Sequence, residues 1–384
     1  SDVYKRQINN CSNVTMHGIT VQNSPSWTIH PYFSKHLKFI DVKILNPANS
    51  HNTDGLDPES CQDVLVLGTY ISVGDDCIAI KSGKIYMAQK EKTPTEDMTV
   101  RQCCMRDGHG AVTVGSEIAA GVKDVHIRDC MFMNTDRGLR VKTRRGRGKL
   151  SVLDDISFEN IDMDNVMTPF VVNSFYFCDP DGKTEYVGSK KPLPVDDRTP
   201  SIKKFTFKNI NAKNCHVAGT YICGLPESKI EELTFENINI TYADNAKSGV
   251  AAMMLACKES CKAGIIVSNI KELVLKNVNV EGCEGGFIPF NRGSLPVVSG
   301  ISMEVKEDGD GYKLTNVKKD KKTIKDDDTF TVMCLAIKKH MEPFLSLEGD
   351  LFEGGDTLVK DTWINYVLGD DAVLAKPEPY ITLR

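Results

Sequence analysis

Four short motifs hold the residues of this 384-residue chain best suited to acid–base chemistry. They are Asn52-Thr53-Asp54-Gly55-Leu56-Asp57, Gly74-Asp75-Asp76, Gly108-His109-Gly110 and Arg140-Val141-Lys142. Three carboxyls brought within a few ångströms cannot all ionise easily, so one should hold a proton near neutral pH. A protonated acid beside ionised bases is the arrangement that cleaves a glycosidic bond. Arg140 and Lys142, fixed cations beside such a cluster, point to a substrate with carboxylates of its own. His109, between two glycines, is either a turn residue or a group that tunes the acid's protonation. Singly, Asp-Asp and Asn-Thr-Asp read as turns. Four motifs on consecutive turns of one architecture read as a site.

That architecture follows from a loose repeat. An alternating apolar phrase ending in Asn-Ile or Asn-Val recurs along the chain, as in KKFTFKNINAKNC from Lys203 and EELTFENINI from Glu231. Aligned on Val14, Leu37, Val64, Met98, Val125, Ile156, Phe205, Leu233 and Leu273, it steps by 23, 27, 34, 27, 31, 49, 28 and 40 residues. A floor near 23 with variable excess predicts an all-β, right-handed parallel β-helix of about nine coils, with insertions leaving as loops. Alternation within each phrase sends every second side chain into the stacked interior. A β-sandwich would need hairpin turns between neighbouring strands, and these are scarce. The period of two excludes helical repeats.

Stacking turns distant motifs into one patch. Asp54 and Asp75 are 21 residues apart, close to one coil, and residues one coil apart lie about 4.8 Å from each other. Asn52 and Asp54 should share one side of a strand, as should Arg140 and Lys142. Asp75 and Asp76 are adjacent, so presenting both requires a bulge or turn, which Gly74 permits. From Arg137 to Lys149 there are seven positive residues and no acidic one. Arg144, Arg145, Arg147 and Lys149 in that stretch are expected in a solvated loop.

Composition removes other functions. Charged residues make up 26% and hydrophobic ones 41%, as in an ordinary folded protein. No apolar run approaches the roughly 18–20 residues needed to cross a bilayer. A net charge of −5 disfavours nucleic-acid binding by a basic surface. From Gly293 onward 12 Lys and Arg stand against 17 Asp and Glu, and before it 35 stand against 35. The repeat region is therefore neutral, with its positive charge expected beside the cleft. The 13 cysteines are scattered and match no zinc module or disulfide framework, so they are expected as buried free thiols, which fits a reducing compartment better than an oxidising one. Asp308-Gly309-Asp310-Gly311 is too short for a calcium loop and reads as a hairpin turn.

The four motifs, with Ser24-Pro25-Ser26-Trp27-Thr28-Ile29-His30-Pro31 before them, resemble the polygalacturonase family of glycoside hydrolases, family 28, from about Ile8 to Gly286. The resemblance implies inverting hydrolysis of α-1,4-galacturonide bonds in polygalacturonate or oligogalacturonides, without a cofactor. Carried over by motif, Asp75 is the general acid, Asp54 and Asp76 activate the water, and His109 assists the acid. Acid and base of an inverting pair lie roughly 6.5–9.5 Å apart. Asn52, Arg140 and Lys142 bind substrate, and Tyr176, in Asn173-Ser174-Phe175-Tyr176, stands where the family often places a substrate-contacting tyrosine. The Gly-His-Gly and Arg-Val-Lys motifs favour galacturonan over rhamnogalacturonan. Gly74, the run Arg137 to Gly148 and the insert Asp179 to Pro200 are similar to bacterial, exo-acting members. The alternatives are a calcium-dependent pectate-lyase-like β-helix and a non-catalytic, polysaccharide-binding or inactive one.

Three segments are expected, with the β-helix at residues 8–290. Ser1 to Gln7 does not fit the repeat and is set aside as an artefact-like leader. The family's N-terminal coils and cap before Ser12 are not matched here. From residue 291 the repeat stops, and the tail resembles the end of a bacterial 5′-nucleotidase C-terminal domain, a small α+β segment without metal ligands.

Overall fold

The repeated phrase is a register. In the computed structural model Val14, Leu37, Val64, Met98, Val125, Ile156, Phe205, Leu233 and Leu273 pair one after another in a single parallel ladder. The structure describes residues 6–282 except position 89, and beyond them the strands Val298–Asp308, Gly311–Lys319, Lys322–Thr323 and Leu335–Ala336. A second parallel ladder runs through Ile78–Ile80, Val112–Gly115, Arg137–Lys142, Thr168–Asn173, Ala218–Cys223 and Ala263–Ser268. Crossovers between parallel strands take the right-handed path, and the coil that results is a right-handed parallel β-helix.

One core runs up its axis. Phe205 and Phe207 are buried, as the alternation requires, and Phe207 stacks on Phe235 of the next coil at 4.7 Å between ring centroids. Such offset stacks add to the stabilisation from burial alone. Valines and isoleucines, with leucines, methionines and further phenylalanines among them, fill the other inward positions of both ladders, and branched side chains pack well on a pleated surface.

The recurrent asparagine has its own cause. Asn160, Asn209, Asn237 and Asn277 occupy the left-handed region, with φ of 54, 53, 54 and 54°. Asparagine tolerates that conformation better than most residues. Each turns the chain at a corner, and each side-chain amide donates to the carbonyl oxygen one coil below, at 3.0 Å from Asn277 to Asn237 and 2.9 Å from Asn237 to Asn209. The ladder continues through Asn160 to Asp129 at 3.0 Å.

At the far end of the ladder, Val298–Asp308 runs antiparallel to Ile270–Glu281 and then to Gly311–Lys319. Asp308 pairs with Gly311, the hairpin expected there. The nucleotidase-like α+β tail falls largely outside the described residues. So do residues 1–5 of the leader, whereas Arg6 and Gln7 open the strand Arg6–Asn9, which pairs in parallel with Ile29–Tyr32. The described cysteines are free, and Cys61, Cys77, Cys103, Cys130, Cys215 and Cys223 are buried. Among the described residues no helix is long and apolar enough to cross a membrane.

Candidate active site

Leu56 bridges Ile78, Ile78 pairs with Val112, and Val112 with Leu139. Two residues back along the first two of these segments, Asp54 therefore sits over Asp76, and the Gly55 N–H donates to the Asp76 carbonyl at 2.9 Å. One carboxyl oxygen from each of Asp54, Asp75 and Asp76 lies within 4.8 Å of the others. That is closer than the separation expected of an inverting acid–base pair. Its cause is the architecture, since directly stacked coils are held at the inter-strand spacing.

Asp75 and Asp76 are presented by a turn between Tyr70–Ser72 and Ile78–Ile80. Asp75 accepts from the Asn52 N–H at 3.2 Å and from the Asp76 N–H at 2.9 Å. Gly74 is required by a close approach: a Cβ there would stand 2.2 Å from the Ser50 carbonyl oxygen. Gly110 is required likewise, because its Cβ would meet Thr113 Oγ1 at 2.3 Å and Asp76 Oδ1 at 3.0 Å. The glycines beside His109 thus make room for the aspartates of the preceding coil.

Arg140 and Lys142 lie on one side of the strand Arg137–Lys142, while Leu139 and Val141, which alternate with them, enter the core. Both cations reach Asp76, Arg140 Nη1 at 2.9 Å from Oδ1 and Lys142 Nζ at 2.7 Å from Oδ2. Asp76 is completely buried. Burial alone would push its carboxyl up, but Lys142 and Arg140 override it and hold the group well below the usual carboxylate range. Burial dominates instead at Asp54, which is pushed up to about 6, with Asp76 and Asp75 adding to the shift and Lys81 and Lys142 opposing it. Of the trio, Asp54 is thus pushed up and Asp76 held down.

His109 is half-exposed. Its Nδ1 is 2.7 Å from Asp136 Oδ2, and its backbone N–H donates to the Asp75 carbonyl at 3.0 Å. The Asp136 hydrogen bond raises the imidazole's proton affinity against an opposing effect of burial, and the Asp136 and Asp75 charges add to it. Asn52 departs from the expected strand: it sits in a turn with φ of 56°, so it shares the cleft with Asp54 but no strand face. Tyr176 is buried, with the Lys142 ammonium 5.7 Å from its ring centroid.

These groups surround one cavity of about 460 Å³, lined by Asn52, Asp54, Asp75, His109, Arg140, Lys142 and Tyr176, with Asp76 beneath. Lys81, Glu117, Asp136 and Arg137 also line it. Sequence reasoning passed over these four. Coil arithmetic could have found Asp136, which follows His109 by 27 residues, and Lys81, which follows Ile80 on a strand already in register with Val114. The lining holds four Lys and Arg against five carboxylates. The expected surplus of positive charge beside the cleft is thus neutralised by local acids.

The solvated-loop expectation for the basic run fails for three of its four residues. Arg144 Nε binds Asp179 at 3.1 Å and its Nη2 binds Asp181 at 2.7 Å. Arg147 binds Asp179 at 2.7 Å, and Arg145, 1% exposed, forks onto Glu227 at 2.5 and 2.9 Å. Arg145 also donates to the Ser189 and Lys191 carbonyls. The insert supplies most of these acceptors and buries the three arginines, whereas Lys149 remains exposed with Asp197.

The right-handed β-helix thus carries a carboxylate cluster and two cations at one corner. The model of glycosyl hydrolases family 28 matches residues 5–261, and the chain belongs to that family. It is similar to a probable polygalacturonase of Vitis vinifera, 29% identical over 237 residues, covering 62% of this chain and 46% of that protein. An endo-polygalacturonase of Pectobacterium carotovorum subsp. carotovorum is 30% identical over 237 residues, covering 61% and 52%. The crystal structure of a hyperthermoactive exopolygalacturonase from Thermotoga maritima superposes with a TM-score of 0.55 at 26% identity, covering 71% of this chain and 53% of that one. The chain spans about half the length of the curated relatives it matches.

Proposed function

We propose that this cleft hydrolyses α-1,4-galacturonide bonds of polygalacturonate with inversion. The observation that carries the reading is the trio Asp54, Asp75 and Asp76, with nearest oxygens within 4.8 Å, beneath a cavity walled by Arg140 and Lys142. Asp75, at the cavity surface, protonates the leaving oxygen. Asp54 and Asp76 hold the attacking water, since two hydrogen bonds of about 2.8 Å meeting at one water suit oxygens at that spacing. Inversion is favoured because Asp76 is held away from the sugar as a nucleophile. It is buried with both oxygens taken by cations. Arg140, Lys142, Asn52 and Tyr176 bind the galacturonate, and His109 assists Asp75. The polygalacturonases among its relatives support the substrate class.

Release of reducing ends from polygalacturonate, comparing the protein with Asp75→Asn, tests the reading. A loss of about 10²–10⁴-fold is expected for removal of a general acid, and equal rates would remove the mechanism. Proton NMR of the first product should show the β-anomer; the α-anomer would mean retention. A second reading, with Asp54 as the acid, is favoured by that residue's raised proton affinity. Nitrophenyl galacturonide separates the two, because a good leaving group needs no proton: the variant of the true acid keeps most of its activity on that substrate.

Exo action is the finer part of the proposal. Asp179, the first residue of the insert, and Cys178 just before it line the cavity, and a wall there would restrict cutting to chain ends. Mono- or digalacturonate should then appear first. Long oligomers appearing first would reject it.

A further inference from the structure

We propose that Lys81 is a positioning residue whose ammonium, held at the cavity floor between Asp57, Glu117 and Asp54, keeps Asp54 in its carboxylate form for work on the attacking water. The inference rests on the reading of Asp54 as a water-holding base. Lys81 is almost wholly buried, with Nζ 3.4 Å from Glu117 Oε2, 3.5 Å from Asp57 Oδ1 and 3.9 Å from Asp54 Oδ2. The Trp27 ring lies 4.5 Å from the ammonium, and cation–π attraction strengthens where water is excluded. A lysine enclosed on these sides has little freedom to swing towards a passing sugar carboxylate.

Asp57 gives the second observation. It is completely buried, and neither of its oxygens makes a hydrogen bond of good geometry. A carboxyl in that position would be costly as a bare anion, and burial and the neighbouring Asp54 raise its proton affinity, with Lys81 opposing them. The groups facing Asp54 are therefore Lys81, Lys142, Asp57, Asp75 and Asp76. Lys142 is engaged by Asp76 at 2.7 Å. Lys81 is the larger of the two cationic influences on Asp54. Glu117, held down to about 2 chiefly by Lys81 against the effect of burial, competes with Asp54 for the same ammonium.

The test is a carbon-13 NMR titration of the aspartate carboxyls, with the Asp54 signal assigned by Asp54→Asn, together with pH profiles of kcat and KM on trigalacturonate. In Lys81→Met the Asp54 midpoint should rise by about one pH unit, the usual effect of losing an opposite charge within about 4–6 Å. The acid limb of kcat should move with it while KM stays within about twofold. Lys81→Arg should restore the midpoint. Glu117→Gln should lower it, because one competitor for the ammonium and one negative charge are gone. An unmoved midpoint in folded Lys81→Met overturns the proposal, as does a raised KM with an unchanged pH profile, which would make Lys81 a substrate ligand. Should Lys81→Met fail to fold, the sign of the Glu117→Gln shift decides alone, and no shift or an upward one rejects the idea. Full activity in Asp54→Asn would instead overturn the base assignment, while the NMR midpoints still judge Lys81.

Discussion

At Asp54 a single carboxyl links stability to activity. Its folded-state proton affinity is raised to about 6, chiefly by burial, from about 3.9 in an unfolded chain. A raised value means that the native state binds the proton more tightly than the unfolded state does. The stabilising contribution is therefore complete below about pH 4 and is lost as pH rises through about 6. Asparagine mimics the protonated carboxyl at every pH. Asp54→Asn should thus be more stable than the parent at pH 8, by about 3 kcal/mol, and little changed at pH 4. Urea denaturation at the two pH values checks this, and equal effects at both would place the origin in packing instead. Such a gain in stability accompanied by lost activity is the usual mark of a group kept for function. Asp76 differs by its partners alone: Arg140 and Lys142 sit on its two oxygens, so an even deeper burial leaves it ionised.

Asn237 shows at the level of a strand corner why the repeat is spelled with asparagine. Its φ of 54° disfavours residues with a Cβ, and its amide both donates to Asn209 and accepts from Asn277. Asn237→Ala loses the conformational tolerance and the ladder bonds, and should cost about 2 kcal/mol. Asn237→Gly loses only the bonds and should cost about half as much. Equal costs in thermal denaturation would show that φ is unimportant there. This regularity made the fold legible, since a period of two and a recurring corner residue fix each strand's register without any distant information. The site was legible for the same reason at Asp54, Asp75, Asp76, His109, Arg140 and Lys142, because coil length places them. Arg144, Arg145 and Arg147 were not legible as buried residues. Their acceptors lie 32 to 82 residues away, on an insert and a turn that no periodicity connects to them. Asn52 misled because spacing along a strand says nothing once the chain leaves the strand for a turn.

Charge at the scale of the whole molecule decides how a polyanion reaches the cleft. The first 292 residues carry 35 Lys and Arg against 35 Asp and Glu, and the net −5 belongs to the remainder. Within the cavity, Lys81, Arg137, Arg140 and Lys142 are matched by Asp54, Asp75, Glu117, Asp136 and Asp179. Neither the body nor the cleft therefore projects the large positive field that steers anionic ligands over distances beyond the Debye length of about 8–10 Å. In the proposed reaction a galacturonate carboxylate is recognised after arrival, by N–H groups of Arg140 and Lys142 left over from Asp76. Steered encounters gain about 10-fold to 1,000-fold in rate and lose it steeply with salt. Here kcat/KM for trigalacturonate should change by less than about threefold between low and physiological ionic strength, with no decline at the low-salt end. A fall of tenfold or more on adding salt would mean that the cations face the solvent unpaired. Asp136→Asn should then restore part of that behaviour in the balanced protein, because it removes the carboxylate paired with Arg137 and His109. Losing the partner of His109 should lower its kcat/KM at both salt concentrations, but the ratio of the low-salt to the physiological-salt value should rise above the parent's.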